Sequence, residues 1–349
     1  MEKVVGGFNE GNSTNAMKLQ LSHITVVTTQ RCNLSCKGCY VDINSGNDLD
    51  IDELEKRILL PFVALGGKSI GFSGGEPLLY EGLFEAICMA KRHDLYVSLV
   101  TNGVLLSRDK AQALVDVGVN SLQISLDSSN TTYNDGIRGY GNKALVIRAI
   151  KNAVCVGIVP SLVAVPNRSL LNEFENYIKE ARQLNVRMIC LRRPIKKLDA
   201  KALAEERAFN KTFLIKVKEM QAKYPDIGII SGDPLFNILR FEGQYDNTIP
   251  MFSGCSAGVS SLAIWPNGVI TPCTRLFAPI GNVNNEGLEK IWLESELLVN
   301  LRLRNLHGAC GQCVFRYICG GCRASSFLDT GVVYERDPMC FYNNSTYQF

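Results

Sequence analysis

Long apolar runs are missing from this sequence, although 46% of its 349 residues are hydrophobic. A membrane-spanning helix needs roughly 18 or more consecutive apolar residues, and no stretch approaches that length. Residues 1–20 also lack the charged start, apolar core and small-residue cleavage site of a secretory signal. We therefore expect a soluble, cytoplasmic protein in which residues 1–20 form a flexible lead-in.

A surplus of charge of either sign is also missing. Lys and Arg total 37, Asp and Glu total 34, and the formal net charge is +3. Proteins that bind nucleic acids usually concentrate positive charge on one face or along one helix. This balance gives no reason to expect a nucleic acid as a partner, and the lack of apolar runs gives none to expect a membrane.

Histidine, the side chain most often used for proton transfer at neutral pH, is scarce. The three histidines, His23, His93 and His307, lie far apart in the sequence. We expect each to be structural or exposed. The sequence therefore identifies no general base.

Cysteine is abundant, with 13 residues. Because reducing compartments keep thiols free, this number favours metal binding or catalysis over disulfides in a cytoplasmic chain. Three cysteines lie in the segment CNLSCKGCY, residues 32–40, and seven more follow residue 254. The triplet has no fourth Cys or His at the spacing of a tetrahedral zinc site. Cys88, Cys155 and Cys190 stand in apolar or helical sequence, where we expect buried thiols.

Strand-like and helix-like segments alternate from residue 23 to residue 223. We predict strands at 23–30, 68–75, 95–103, 121–127, 160–167 and 187–194, followed by helices at 51–65, 81–93, 108–117, 143–156, 170–184 and 200–223. Such alternation predicts a parallel sheet with right-handed crossovers. Gly, Pro and Cys become frequent after about residue 235, which marks a boundary. We predict an α/β chain, with a partial (β/α)6 parallel barrel over 21–235 and a small cysteine-rich α+β domain over 236–349.

Motifs that could carry chemistry lie at or just after the ends of the first four predicted strands. Because functional residues of parallel sheets lie at the carboxyl ends of strands, these motifs should share one edge. They are the cysteine triplet, Ser73-Gly74-Gly75-Glu76-Pro77, Thr101-Asn102-Gly103, and Ser125 with Asp127. The two glycines would let the backbone approach a ligand closely, and Glu76 could receive a cation.

The segment CNLSCKGCY resembles the CxxxCxxC signature of radical S-adenosylmethionine (SAM) enzymes, and GGEP resembles the second motif of that family. The resemblance implies that Cys32, Cys36 and Cys39 ligate three irons of a 4Fe-4S cluster. The fourth iron would bind the amino and carboxylate groups of SAM, which explains the missing fourth thiol. Reductive cleavage of SAM would give a deoxyadenosyl radical that removes hydrogen from a substrate. A reductant protein of the flavodoxin or ferredoxin type is then an expected partner.

The same resemblance implies further contacts with SAM. The stretch SLDSSNTTYNDGIRG resembles the fourth-strand region of the family, which would bring Ser125 to the ribose and Arg138 to the carboxylate. Thr101 and Asn102 resemble another family pattern, although TNG is equally a turn signal. The expected cofactor-binding residues are Ser73, Gly74, Gly75, Glu76, Pro77, Thr101, Asn102, Ser125, Asp127 and Arg138.

The seven cysteines after residue 254 resemble the SPASM extension, which holds auxiliary iron-sulfur clusters in some radical SAM enzymes. Assigned by order, one auxiliary cluster would use Cys310, Cys313, Cys319 and Cys340, and a second would use Cys255, Cys273 and Cys322. The second set lacks a fourth thiol, so its cluster would have an open iron, a different ligand or a bound substrate. A zinc ribbon built from Cys310, Cys313, Cys319 and Cys322 remains an alternative.

Auxiliary clusters favour oxidative chemistry, because they can accept the electron of a substrate radical. The leading interpretation is oxidation or crosslinking of a peptide or protein side chain. Alternatives are a haem-pathway reaction, such as oxidative decarboxylation of a porphyrin propionate, and oxidation of a sugar-like small molecule.

Peptide-modifying members often carry a leader-binding domain before the barrel, whereas here only residues 1–20 precede it, so leader recognition must come from elsewhere. Sulfatase maturases place an Asp where this chain has Thr274. A non-enzymatic electron carrier would not need the GGEP edge. A zinc-stabilised binding module would not need three cysteines without a fourth.

The Lys-rich segment beginning RRPIKK starts at the end of the sixth predicted strand. Such a run is usually a solvated helix face. Arg192 and Arg193 end the strand, so a second interpretation is that they bind a carboxylate of the substrate.

Overall fold

The computed structural model describes residues 20–43, 46–241 and 253–342. The expected lead-in, apart from Gln20, lies outside these ranges. Within them, none of the helices is long and apolar enough to cross a membrane.

Seven parallel strands form the main part of one sheet and follow one another in chain order. They are β1 His23–Thr29, β2 Ser69–Gly74, β3 Tyr96–Thr101, β4 Ser121–Ser125, β5 Ser161–Ala164, β6 Met188–Leu191 and β7 Gly228–Ser231. The six predicted strands are confirmed. Strand β7 is an addition: its sequence, GIIS, is short and stands between Asp-Ile and Gly-Asp-Pro, so it resembles a loop until β6 offers it a partner.

The cysteine-rich region extends the same sheet from the other side of β1. Strand β8, Ser261–Ile264, pairs in parallel with β1. Strand β9, Val269–Thr271, and strand β10, Gly281–Asn282, then add antiparallel pairs. The predicted division near residue 235 therefore falls between two regions that share one continuous sheet.

Helices follow most of the strands, with ends set by local capping. The segment after β1 contains α1 Ile51–Glu53, a π-helical turn Leu54–Leu59 and α2 Leu60–Ala64. The next are α3 Leu83–Arg92, α4 Arg108–Asp116, α5 Thr131–Arg138, α6 Asn142–Cys155, α7 Arg168–Gln183, α8 Ala200–Lys223 and α9 Phe236–Phe241. The last four are α10 Leu288–Glu294, α11 Glu296–Arg302, α12 Gly308–Gly311 and α13 Arg323–Thr330. Helices α4, α7 and α8 begin after Ser107, Asn167 and Asp199, whose side chains accept a backbone N–H of the first turn.

The two faces of the parallel strands differ in composition. One face is apolar and packs under the helices; it includes Ile24, Val26, Ile70, Phe72, Val97, Leu99, Leu122, Ile124, Leu162 and Ala164. The opposite face, here called the inner face, is small or polar. In register it carries His23, Thr25, Ser69, Gly71, Ser98, Val100, Gln123, Ser125, Ser161, Val163 and Cys190. Closed (β/α)8 barrels fill this side with bulky branched residues, so the present inner face leaves room for a ligand.

The three isolated cysteines have different environments. Cys190 on β6 is buried, as predicted, and Cys88 is half-buried. The prediction of a buried Cys155 is wrong, because this thiol is exposed. It is the last residue of α6 and lies off the buried stripe that ends at Ala153.

Candidate functional site

The loops after β1 and β2 are joined directly at the carboxyl edge of the sheet. The backbone N–H of Gly75 donates to the carbonyl of Thr29 at 2.8 Å, and that of Glu76 donates to the carbonyl of Arg31 at 2.9 Å. The cysteine triplet begins at the next residue of the first loop. The GGEP turn therefore determines where the cysteine loop starts.

Glycine is required at this junction for a steric reason. A Cβ on Gly74 would lie 2.3 Å from the carbonyl oxygen of Thr29, and one on Gly75 would lie 2.2 Å from that of Arg31. Both distances are far below van der Waals contact. The space that the glycines leave open is filled on this side by the chain itself, so close backbone packing is one reason for the motif.

Glu76 holds the ends of β2 and β3 together. Its buried carboxylate accepts hydrogen bonds from Thr101 Oγ1 at 2.7 Å, from the N–H of Asn102 at 2.7 Å and from the N–H of Leu78 at 3.0 Å. Burial raises its pKa, and these three hydrogen bonds act in the opposite direction. Both carboxylate oxygens of Glu76 accept hydrogen bonds from the protein itself, which gives this side chain a positioning role.

Thr101 and Asn102 connect this edge to the cysteine loop. Thr101 Oγ1, besides donating to Glu76, accepts the N–H of Gly103 at 3.0 Å. Asn102 Nδ2 donates to Asn33 Oδ1 at 2.8 Å and lies 3.8 Å from Cys32 Sγ. The TNG segment is therefore a turn, as one interpretation held, and it also contacts the thiol loop.

The three thiols of the triplet lie in one loop at this edge. Cys32 and Cys36 are half-buried, and Cys39 is exposed. Burial is the main cause that raises the pKa of Cys32 and of Cys36. The charge of Cys39 adds to both rises, and the charge of Cys32 adds to that of Cys36. The loop is held to α5 by the N–H of Lys37, which donates to the carbonyl of Ile137 at 3.0 Å.

Asp127 and Arg138 form a buried ion pair beside the triplet. Arg138 Nε lies 2.7 Å from Asp127 Oδ2, and Asp127 Oδ1 accepts the N–H of Val165 at 2.9 Å. Burial lowers the pKa of Arg138, but the charge of Asp127 more than offsets it, so the net shift is upward. The guanidinium also lowers the pKa of Cys36. Ser125 is half-buried on the inner face nearby.

Four of the later cysteines line one cavity. They are Cys310, Cys313, Cys319 and Cys340, with Phe315 and Tyr342 among the other lining residues. Burial raises the pKa of Cys313 to about 11 and also raises that of Cys319 and Cys340. The structure thus brings together the four thiols that were assigned to one cluster by order.

Cys255, Cys273 and Cys322 form a separate group. Burial raises the pKa of Cys273 to about 11, and the charges of Cys255 and Cys322 contribute to that rise. A zinc ribbon would need Cys322 together with Cys310, Cys313 and Cys319. The cavity has Cys340 as its fourth thiol instead, so the thiols that line it are not the zinc-ribbon set. Across the described ranges, no set of three His, Cys, Asp or Glu side chains is arranged around a single metal ion.

Arg193 and Asp337 tie the sheet to both groups of later cysteines. Arg193 makes two hydrogen bonds to Asp337, of 2.6 and 2.8 Å, and a longer one of 3.4 Å to Asp233. Asp337 also accepts the N–H of Cys322 at 2.8 Å. The interpretation of Arg193 as a substrate-binding residue is wrong, because its side chain is fully buried in this ion pair. Sequence reasoning missed Asp337, for which the only signal was an acid three positions before Cys340.

Family comparison agrees with both parts of this arrangement. The sequence model of the radical SAM superfamily matches residues 26–183, and that of the SPASM iron-sulfur cluster-binding domain matches residues 255–314. The chain belongs to the radical SAM superfamily. It is a radical SAM enzyme with a C-terminal SPASM domain.

Relatives of this radical SAM enzyme match along most of their length. The AdoMet-dependent heme synthase of Oleidesulfovibrio alaskensis is 25% identical over 343 residues, which cover 90% of this chain and 85% of that protein. The mycofactocin maturase MftC of Mycobacterium tuberculosis is 27% identical over 340 residues, with 92% and 83% covered. The crystal structure of Streptococcus suis SuiB bound to the precursor peptide SuiA superposes with a TM-score of 0.75 at 19% identity, covering 93% of this chain and 76% of that one.

Membership in this family implies a 4Fe-4S cluster and SAM, and the SPASM domain implies auxiliary iron-sulfur clusters. The residues present fit these groups. Thiols are the ligands of iron-sulfur clusters, and the chain provides one triplet at the carboxyl edge and a cavity lined by four more. Buried arginines beside the later thiols supply positive charge that an anionic cluster would balance.

Proposed function

We propose that this radical SAM enzyme is an oxidoreductase that cleaves SAM reductively and oxidises or crosslinks a side chain of a peptide or protein. The observation that carries the proposal is the position of Cys273. Arg275, two residues after Cys273, donates to the carbonyl of Arg193 at 2.5 Å, which brings the Cys273 segment to the end of β6 beside the inner face. An electron acceptor held by the Cys273 group would therefore border the space where a substrate radical forms.

Cys32, Cys36 and Cys39 are proposed to hold the cluster that binds SAM. The cluster with SAM supplies the radical that removes hydrogen. The backbone of the Gly74-Gly75 turn, Ser125 and Arg138 are proposed to contact SAM, since they lie at the same edge. Within the predicted set, the remaining residues are proposed to position this edge; they are Ser73, Glu76, Pro77, Thr101, Asn102 and Asp127.

The auxiliary clusters are proposed to use the two thiol groups as the sequence order suggests. Cys310, Cys313, Cys319 and Cys340 would hold one cluster, because they line one cavity. Cys255, Cys273 and Cys322 would hold the other. Residues 21–235 would then be the SAM-binding part, and 236–349 the part that handles the electron.

Two relatives support a peptide substrate. MftC is named as a mycofactocin maturase, and SuiB was crystallised with its precursor peptide. A haem-pathway reaction is the second candidate, because an AdoMet-dependent heme synthase matches 90% of this chain. Both candidates are oxidations that end with an electron to be accepted.

An external one-electron donor of the flavodoxin or ferredoxin type is the proposed reductant. The cytoplasm is the proposed location, because a chain that uses ten of its 13 cysteines as cluster ligands needs reduced thiols, and reducing compartments keep thiols reduced.

The test is iron and sulfide content of anaerobically prepared protein, together with deoxyadenosine formed from SAM after reduction. Three clusters predict about eleven or twelve irons per chain and deoxyadenosine. Cys32→Ala should abolish deoxyadenosine, whereas Cys155→Ala, a change at an exposed thiol, should not. Zinc in place of iron, or cleavage that persists in Cys32→Ala, would refute the proposal.

The substrate is tested with the same preparation. It is offered either a candidate precursor peptide encoded beside its gene or an iron porphyrin that carries propionates. A mass change in the peptide supports side-chain modification. Loss of carbon dioxide from the porphyrin supports the haem-pathway reaction and rejects the peptide proposal.

A further inference from the structure

Arg192 lies on the wall of the space enclosed by the inner face. It follows β6 directly, and its backbone N–H donates to the carbonyl of Ala164 at the end of β5 at 2.8 Å. Its side chain is exposed, yet surrounding protein lowers its pKa. Cys190, two positions earlier, is on the inner face, and alternation along the strand directs Arg192 to the same side. The space on that side of the sheet is here called the recess.

Groups from several elements face this guanidinium. His23 stands at the amino end of β1, and after burial the charge of Arg192 is the next cause that lowers the pKa of His23. The guanidinium also lies beside the end of β7, since a Cβ on Gly232 would be 3.0 Å from Arg192 Nη1. Tyr40, Cys190 and Cys273 also act on its pKa. The hydrogen bond from Arg275 to the carbonyl of Arg193 brings the segment after Cys273 beside Arg192.

Positive charge in this recess is not balanced by nearby acids. Arg275 adds a second guanidinium, which lowers the pKa of Arg192 and donates to the carbonyl of Arg193. In the described part of the chain, the ion pairs include neither Arg192 nor Arg275. A planar guanidinium binds a carboxylate through two parallel hydrogen bonds. An anionic ligand would supply the missing partner.

Gln123 gives an independent indication that a polar ligand belongs on the inner face. It stands on the inner face of β4, opposite Ser161 of β5. Among the described residues its Oε1 atom is buried without a hydrogen-bond partner. A buried acceptor left unpaired costs about 1 to 3 kcal/mol, and a ligand donor would remove that cost.

We propose that Arg192, with Arg275 beside it, binds a carboxylate of the substrate on the inner face. The inference rests on the proposed function and narrows it to a substrate with a free carboxylate close to the reacting carbon. Acidic or C-terminal peptide groups and porphyrin propionates both meet this requirement. A substrate without a carboxylate, such as a neutral sugar, does not.

The test measures how fast phenylglyoxal, which reacts with guanidinium groups, labels Arg192 in the anaerobic holoenzyme. Labelling is read by peptide mass spectrometry with glutarate, with its neutral diamide, or with neither. Glutarate should slow labelling of Arg192 severalfold, and the diamide should not. Arg187 is the internal control, because it is exposed at the other end of β6 and should react equally in all three.

Equal labelling of Arg192 with and without glutarate would overturn the proposal, as would equal protection by the diamide. A second measurement separates this inference from the proposed function. Deoxyadenosine formation by the wild-type enzyme tests the function alone. Protection without deoxyadenosine rejects the function and keeps the anion site, whereas the reverse result rejects only the site.

A second inference concerns two buried arginines beside the later thiols. Arg304 is 3% exposed, and its Nη2 donates to the carbonyls of Ser253 at 2.9 Å and Cys255 at 3.2 Å. Its Nε and Nη1 have no partner among the described residues. Arg323 is fully buried, and its Nη2 lies 3.9 Å from Cys310 Sγ.

The contacts of Arg304 place it near both groups of later thiols. The charges of Cys255 and Cys319, one from each group, act on its pKa. A Cβ on Gly320 would lie 2.3 Å from Arg304 Nη1, so a side chain there would displace the guanidinium. A buried positive charge without an acid is costly. Thiolate-bound clusters would provide the compensating negative charge.

The geometry points to Arg304 and Arg323 as positioning residues that raise the midpoint potential of an auxiliary cluster. Reduction adds negative charge to a cluster, and a buried positive charge nearby stabilises the reduced form. The two arginines would thereby make the auxiliary clusters better electron acceptors. This role does not depend on the identity of the substrate.

Redox titration followed by electron paramagnetic resonance tests this role in the iron-loaded protein. Arg304→Gln should lower the midpoint potential of an auxiliary cluster, and Arg304→Lys should largely restore it. Arg302→Gln is the matched control, since Arg302 is also buried with Nε and Nη1 unpaired in the described structure but stacks on Trp292 at 4.4 Å. An unchanged potential in Arg304→Gln, or an equal shift in Arg302→Gln, would overturn the role. If Arg304→Gln binds no iron, Arg323→Lys and Arg323→Gln are compared in the same way.

Discussion

At the residue scale, some side chains that were expected to contact the cofactor make hydrogen bonds within the protein instead. Glu76 and Thr101 use their polar atoms on each other and on neighbouring backbone N–H groups. Both residues are buried. Motif resemblance identifies which residues belong to a site, but it does not separate those that touch a ligand from those that position the ones that do.

Glu76→Gln is expected to destabilise the edge. The amide would present a donor to N–H groups that now donate to a carboxylate, and losing hydrogen bonds of this kind costs about 2 kcal/mol. The thermal unfolding temperature, measured by circular dichroism, should fall. Glu81→Gln, a change at an exposed acid in the next turn, should leave it unchanged, and equal effects of the two changes would argue against the positioning role.

The pH dependence of stability should show the same carboxylate. Burial raises the pKa of Glu76 above its ordinary 4.5, so the folded protein holds this proton more tightly than the unfolded chain. Its contribution to stability is present below the ordinary pKa and is lost as pH rises through the folded value. Stability of wild type minus that of Glu76→Gln should therefore decline over this interval, and a difference that rises with pH would contradict the assignment.

At the scale of elements, the site depends on how closely neighbouring loops approach. The β1 and β2 loops are in backbone contact, and the thiol loop is further held to α5. Each contact joins segments that lie far apart in the sequence. The position of the triplet is therefore set by its neighbours more than by its own residues.

Gly75→Ala should displace the thiol loop, because the new methyl group would lie 2.2 Å from a backbone oxygen of Arg31. We expect the iron content to fall by about four per chain, the share of one 4Fe-4S cluster, and deoxyadenosine formation to be lost. Gly136→Ala is the control. Gly136 is exposed in α5, where a new methyl group would have no neighbouring atom within 4 Å, and Ala there should stabilise the helix by about 0.5 to 1 kcal/mol. Full iron content in Gly75→Ala would refute the steric account.

At the scale of the whole molecule, the cysteine-rich region and the barrel share one framework. Strand β8 extends the sheet at β1, and the Arg193–Asp337 pair joins the end of β6 to the backbone of Cys322. Burial alone would raise the pKa of Asp337, but Arg193 reverses this, and the net shift is downward. The later thiols are thus fixed relative to the inner face.

Asp337→Asn should loosen this connection. Removing one partner of a buried ion pair costs about 3 to 5 kcal/mol, and here it would leave Arg193 with only its longer 3.4 Å contact to Asp233. Asp226→Asn is the control, since its 2.7 Å pair with Arg182 is exposed and such pairs contribute about 0 to 1 kcal/mol. The thermal unfolding temperature and the iron content should both decrease in Asp337→Asn and not in Asp226→Asn. Equal behaviour of the two variants would show that the buried pair does not join the regions.

The sequence by itself determined the cysteine triplet, the strand and helix alternation and the motifs at the carboxyl edge, because these depend on local patterns of residues. Tertiary structure decided what local patterns do not encode. Only strand register separates the polar inner face from the apolar one, and only packing shows that Arg193 is buried against Asp337 while Arg192, its neighbour in the chain, faces the recess. Successive side chains on an extended backbone point in opposite directions, and whether each direction leads to core or cavity depends on residues far away in the sequence.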